Sequence, residues 1–336
     1  MLLHPKPKAL TPFALWRSPQ VSSAHILIHS EFGSEQFRFA PFDGASHEEI
    51  ILSGQSQPFQ EGLVPNSIEF SSGLSKPSST SKEEHIAMVQ SAVRHMKSGK
   101  LDKVVLSRVE KHPQTLPAID VLFNTLSTAY PDAFCYVFYH PDCGLWAGAS
   151  PEILLDCEKG FCTTMSLAGT RDKRAPRAAD WSAKEYEEQE IVTQFLVDQL
   201  KTKGVFLGPI GPPKTLQSGH LEHLMTKLRF EWPTDPYSLL KLLHPTPAVC
   251  GWPAPGAKDY ILANEGYDRG FYTGYLAHLK PNNSTTAYVN LRCMHWIENE
   301  VFVYAGGGIT ARSDAESEYH ETEAKMAAML GVIEKL

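Results

Sequence analysis

The sequence predicts an α+β fold: a large, mostly antiparallel β-sheet core flanked by helices. Three observations point there. Apolar runs of strand length recur in groups joined by tight turns, as in "FCYVFYH" (134–140) and "GLWAGASPEILLDC" (144–157) across Pro141-Asp142-Cys143-Gly144. Long helical patterns stand apart from these groups instead of alternating with single strands, which disfavours a parallel βαβ sheet. The stretch "TTAYVNLRCMHWIENEVFVYAGGGI" (285–309) reads as a hairpin turning at Glu298-Asn299.

In chain order, "AHILIHS" and "EQFRFAPF" supply short strands within the first fifty residues. The Ser-, Gly- and Pro-rich "SSGLSKPSST" is a loop. It ends in Ser81 with Glu84 three residues on, a capping box that opens the helix "KEEHIAMVQSAVRHMK" and is closed by Gly99. "LDKVVLSRVE" (101–110) is a strand whose alternation puts Lys103 on one face with Val105. Such a lysine either snorkels to solvent or is held where an amine is needed. A helical pattern at 118–129 precedes the strand group, which continues past the Glu158-Lys159-Gly160 turn into "GFCTTMSLAGT". A long helix runs from Ser182 to about Lys203. The prolines of "HPTPAVCGWP" forbid a regular helix and make a rigid wall that carries His244 and Thr246. A final helix opens on a capping-box pattern of Ser313 and Glu316.

At 336 residues the chain has room for one large domain or two ordinary ones, with a sizeable core. Hydrophobic content of 42% and charge of 21% are those of a soluble globular protein. A net charge of −7, with no Lys or Arg run, excludes the electrostatic footprint of a nucleic-acid binder. Any anionic ligand therefore needs a local cation. The six cysteines lack a C-x-x-C pair and read as reduced, semi-buried thiols of a cytosolic protein. "MLLHPKPKALTPFALW" lacks the apolar core of a secretory signal, and no apolar run approaches the ~18 residues of a membrane span. A cytoplasmic location is expected.

Several side chains are candidates for chemistry. On the helix from Ser182, Ile191, Val192, Phe195, Leu196, Gln199 and Leu200 form a stripe; Glu188 falls at its centre and Glu185 beside it. A buried carboxylate needs a partner or a cation, although an acidic residue near a helix start is also favoured by the dipole. On the last helix, Met326, Leu330 and Ile333 form the apolar face, with Glu318, Glu321 and Lys325 at its border. Glu321 and Lys325 are either a surface i, i+4 pair or the edge of a site. Gly306, Gly307 and Gly308 lie between a strand and that helix, where their N–H groups form either a plain turn or an anion nest. The hairpin register sets Arg292 opposite Ala305, beside these glycines, as befits a carboxylate site. Glu152 follows a proline at a strand start, and His223 is either a core histidine or a ligand contact.

Nine segments in order over residues 80–336 resemble the chorismate-utilising enzymes, and within them most closely isochorismate synthase. They are "KVVLSR", "GASPEILL", "LAGTR", "EEQEIV", "HPTPAVCGWP", "EGYDRGFYTGYLA", "VNLRC", "YAGGGI" and "EYHETEAKMAAML". The resemblance implies a fold like that of anthranilate synthase component I and a single chorismate-binding domain, with residues 1–80 its variable N-terminal part. It implies that Lys103 is the base activating water for attack at C2 of chorismate, and Glu152 the acid protonating the departing C4 hydroxyl. Glu188 and Glu321 match carboxylates that hold Mg²⁺, with Glu185, Glu318 and Lys325 as supporting positions. Arg292 and the N–H groups around Gly306 to Gly308 match the site of the enolpyruvyl carboxylate; Gly169, Thr170 and His223 line the ring. Chorismate is the implied partner, without nucleic acid, membrane or an obligatory protein subunit.

Subclass rests on a few positions. Ala168 stands where aminodeoxychorismate synthases carry a lysine nucleophile, and Lys103 is absent from the ammonia-using anthranilate synthases. Ala248 stands where salicylate synthases tend to have threonine, which favours stopping at isochorismate. Ala183 replaces a common Glu, and "RDKRAPRAADW" (171–181) departs from the commoner "RPRG".

Overall fold

Strand alternation and helix capping carry most of the architecture in this computed structural model, which describes residues 11–336 except 66–67, 72, 100, 174–179 and 220. Strands β1 (Phe13–Arg17), β2 (His25–Ile28), β3 (Glu35–Ala40), β4 (Ile50–Gly54) and β5 (Gln57–Pro58) precede helix α1 (Lys82–Lys97). Strand β6 (Lys103–Pro113) and helix α2 (Ile119–Ala129) lead into β7 (Phe134–His140), β8 (Gly144–Ser150), β9 (Ile153–Glu158) and β10 (Phe161–Asp172). Helix α3 (Ala183–Thr202), β11 (Lys214–Ser218), β12 (Leu221–Glu231), α4 (Tyr237–Leu243), β13 (Gly251–Trp252) and α5 (Ala254–Asn264) follow. The chain closes with β14 (Tyr275–Leu279), β15 (Thr285–Val289), β16 (Cys293–Ile297), β17 (Glu300–Thr310) and α6 (Ala315–Ile333).

Two sheets result: β13-β6-β17-β16-β8-β7-β1-β2-β5, and β11-β12-β10-β9-β15-β14-β3-β4. Neighbouring strands pair antiparallel, as the grouped strand pattern requires. The sheets face each other across an aromatic layer. Trp16 meets Phe37 at 5.0 Å, Phe39 meets Phe138 at 4.8 Å, and Phe134 stacks on Tyr288 at 4.2 Å. Each such pair contributes about 0.5–1.5 kcal/mol beyond the area it buries. Outside, α2 and α6 cover the nine-stranded sheet with Leu122, Phe123, Met326 and Met329. Helices α3 and α4 cover the other with Val192, Leu196, Leu200 and Leu240. Met88 and Val89 of α1 and Ile261 of α5 pack on Val104 and Leu106 of β6.

The local signals hold at several points. Ser81 and Glu84 form the capping box of α1, which ends at Ser98 before Gly99, at φ +77°. The hairpin turns at Glu298-Asn299, with Ile297 paired to Glu300. Three expectations are corrected. Helix α6 is capped by Asp314 instead of Ser313: its carboxylate accepts from the Ser317 N–H at 2.9 Å, while Ser313 Oγ accepts from Thr310 N. Its apolar face centres on Thr322, Met326, Met329 and Val332, leaving Leu330 and Ile333 at the border. The cysteines are not all reduced thiols. The Lys159-Gly160 turn sets Cys157 opposite Cys162, and the two are disulfide-bonded; Cys135, Cys143, Cys250 and Cys293 are free and fully buried. Among the described residues no helix is long and apolar enough to cross a membrane. The first ten residues of "MLLHPKPKALTPFALW" and most of the "RDKRAPRAADW" departure lie outside the described residues.

Candidate active site

A cleft with about 720 Å³ of unfilled space opens between β6 and β17 of one sheet, β10 and β12 of the other, and helices α3 and α6. Lys103 and Val105 enter it from β6, as their shared strand face requires. Glu152 enters from the β8–β9 turn, Gly169 and Thr170 from a bulge in β10, and His223 from β12. Glu188 comes from α3, Arg292 from the approach to β16, and Glu321 and Lys325 from α6. Ala168 and Ala248 also line the cleft, and His244 holds the wall behind it by contact with the Thr273 carbonyl at 2.9 Å.

Burial sets the protonation of the two central groups. Lys103 and Glu152 are each 2% exposed. Burial pushes the Lys103 amine below its usual value, aided by repulsion from Lys325 and opposed by Glu188 and Glu152. Burial pushes the Glu152 carboxyl up to about 8, with Lys103 offsetting only part of the rise. A neutral carboxylic acid thus faces an amine that gives up its proton more readily than a surface lysine.

His223 is held neutral near 3 by burial and by the neighbouring Arg292 guanidinium. Its Nδ1–H donates to the Gly169 carbonyl at 2.9 Å, which leaves Nε2 to accept from Arg292 at 3.1 Å. The imidazole therefore aims the arginine and lines the cleft.

The glycines form neither the plain turn nor the anion nest that their spacing left open. All three lie inside β17, paired with Ser107, Leu106 and Val105 of β6, because the ladder runs on to Thr310. Val105 gives its N–H to Cys250 O and Ser107 gives its own to Glu265. The facing Gly308 and Gly306 therefore turn their N–H and C=O groups away from β6, and Lys325 Nζ reaches the Gly306 carbonyl at 2.8 Å. Space is their second contribution. A Cβ on Gly308 would stand 2.9 Å from Lys103 Cε and 3.3 Å from Glu188 Oε2. Gly307 points to the other face, toward Glu318, and does not line the cleft.

Neither Glu185 nor Glu318 lines the cleft itself. Glu185 is engaged locally, its carboxylate accepting from the Ser182 N–H at 2.9 Å and from the Ser182 hydroxyl. It is a helix cap, which its place at the third residue of α3 favours. Glu318 lies behind the cleft, 2% exposed, with Lys184 Nζ on its Oε1 at 2.8 Å. Glu188 is 7% exposed, so its place in the apolar stripe wins over a solvated first turn; burial raises its pKa against the pull of Lys103 and Lys184. Glu321 and Lys325 do form an i, i+4 pair at 2.7 Å, but at the cleft wall. Burial would raise Glu321, yet Lys325 and then Lys184 and Lys103 hold it below the usual range.

Sequence reasoning missed a buried clamp. Arg269 pairs with Glu265 four residues earlier and donates to Val249 O at 2.8 Å, Thr273 Oγ1 at 3.1 Å and Val105 O at 2.7 Å. One guanidinium thereby ties together three walls of the cleft. The i, i+4 spacing of opposite charges was its only local trace.

A family described as "Chorismate binding enzyme" matches residues 47–334. The chain belongs to the chorismate-binding enzymes. Over 254 residues it is 31% identical to the salicylate biosynthesis isochorismate synthase of Pseudomonas aeruginosa, covering 72% of this chain and 53% of that one. Over 257 residues it is 31% identical to the isochorismate synthase EntC of Escherichia coli K12, covering 73% and 66%. The chain thus spans between about half and two thirds of the length of these relatives. The fold matches that of MenF, the menaquinone-specific isochorismate synthase of Escherichia coli, with TM-score 0.79 at 20% identity over 97% of this chain and 89% of that one. It also matches anthranilate synthase component I of Streptococcus pneumoniae, with TM-score 0.70 at 19% identity over 98% and 94%. The expected family and fold are therefore those of this chain.

The carboxylates of this chorismate-binding enzyme fit a hard divalent cation. Among the described residues Glu318 Oε2 is buried and accepts no hydrogen bond of ordinary geometry, and Glu188, Glu318 and Glu321 repel one another. Among the described residues no group of three or more His, Cys, Asp or Glu is poised around a metal position. Mg²⁺ needs no such cage: it binds through one or two carboxylates, retained waters and substrate oxygens.

Proposed function

We propose that this protein is an isochorismate synthase, converting chorismate to isochorismate with Mg²⁺. The observation that carries the reading is the pair of fully buried groups in one cleft, Glu152 pushed up to about 8 and Lys103 pushed down. That is the bias needed to give a proton to one hydroxyl and take one from water near neutral pH. Lys103 accepts a proton from a water as its oxygen bonds to C2 of the ring. The C4–O bond breaks as both ring double bonds shift by one position, and Glu152 protonates the departing hydroxyl. One water enters and one leaves.

Glu188 and Glu321 would hold the Mg²⁺, which when bound supplies positive charge for the ring carboxylate. Arg292, aimed by His223, and the N–H groups of Gly306 and Gly308 receive the enolpyruvyl carboxylate. Ala168 offers no amine nucleophile and Ala248 no hydroxyl, in keeping with water as the incoming group and with release of isochorismate.

The test is chromatography of purified protein with chorismate and Mg²⁺, with and without chelator, alongside Lys103→Ala. Isochorismate without pyruvate, lost on chelation and in the variant, is the expected result. Salicylate with pyruvate would make the protein a salicylate synthase and overturn the role given to Ala248. Undiminished turnover by Lys103→Ala would remove that residue as the base, and untouched chorismate would leave a binding protein.

A further inference from the structure

Lys184 is the second residue of α3, in the turn where a helix dipole opposes positive charge. Something must hold an ammonium there. The structure supplies it: Lys184 Nζ lies 2.8 Å from Glu318 Oε1 and 3.7 Å from Glu188 Oε1. It thereby bridges α3 to α6 behind the cleft. Among the described residues the remaining oxygen of Glu318 is buried and accepts no hydrogen bond of ordinary geometry, so the lysine alone does not satisfy these carboxylates.

We propose that Lys184 is a resident counter-cation of this carboxylate cluster, the one that holds Glu318, and that a divalent ion binds in competition with its ammonium. The inference rests on the reading of Glu188 and Glu321 as metal ligands. Like charges within a few ångströms exclude one another strongly when partly buried. An ion gathering Glu188 must therefore draw that carboxylate away from Lys184 or push the ammonium back onto Glu318. The lysine keeps the metal-free site from flying apart, and in doing so weakens the metal's hold.

Calorimetric titration of the full chain with MgCl₂ in the absence of substrate reads this without turnover. Lys184→Met is expected to bind Mg²⁺ roughly tenfold more tightly than the parent chain, since removing a nearby positive charge favours an incoming one. Lys184→Arg keeps the charge and is expected to bind close to the parent affinity. Thermal melting gives a second readout: Lys184→Met should melt lower without metal and gain more from added Mg²⁺. Should the methionine variant not fold, Lys184→Gln takes its place. Equal or weaker binding by the neutral variants overturns the proposal, while loss of binding in Glu188→Gln shows that the metal reading survives. No Mg²⁺ binding by the parent chain overturns both.

Discussion

Glu152 and Lys103 sit in the same cleft and are displaced in opposite directions by one cause, the loss of water around each. This has a measurable effect on stability. Glu152 starts from an ordinary value of 4.5 and is raised to about 8, so between these limits the folded chain keeps a proton that the unfolded chain gives up. Its contribution to stability is full below pH 4.5 and is lost as the pH rises to about 8. Lys103 runs the other way, its contribution growing as the pH climbs from its lowered value toward 10.5. Glu152→Gln removes the first effect and leaves the burial of Lys103 in place. The difference in Tm, variant minus parent, is expected to grow from pH 5 to pH 8 and then level. A constant difference in melts across that range would mean that Glu152 is already ionised at pH 5.

At the scale of elements, the start of α6 and the end of β17 differ most from their sequence signals. Ser313 and Glu316 have capping-box spacing, but Asp314 stands next in line with a stronger acceptor, and its carboxylate takes the Ser317 N–H. Asp314→Ala is expected to lower the midpoint of urea denaturation, since it removes the side-chain acceptor of the helix start. Glu316→Ala touches only an exposed pair with Lys82 and is expected to stay within ~0.5 kcal/mol. The reverse order would restore Ser313 as the cap. The glycines of β17 read as a turn because local pattern contains no record of the partner strand. Eleven residues of β6 template the ladder to Thr310, and a non-local pairing overrides a weak local preference.

Across the whole molecule, what the sequence made legible was local periodicity and the order of motifs: Glu188 in its apolar stripe, Lys103 beside Val105, the α1 box, the hairpin at Glu298-Asn299. What it hid depends on which distant segments meet. Lys184 finds Glu318 across 134 residues, and Arg269 finds Val105 of β6 across 164. The Cys157–Cys162 bond follows from the tight turn at Lys159-Gly160, which sets the two strands in register, but no paired cysteine motif marks it in the sequence. Backbone amides held in a sheet ladder trade their hydrogens with solvent slowly, whereas those of Gly306 and Gly308 face the open cleft and should trade quickly in the empty protein. Chorismate with Mg²⁺ is expected to slow both, while Gly307, bonded toward β6, stays slow throughout. Deuterium uptake at two glycines would then report occupancy of the cleft directly, even in a variant that no longer turns over.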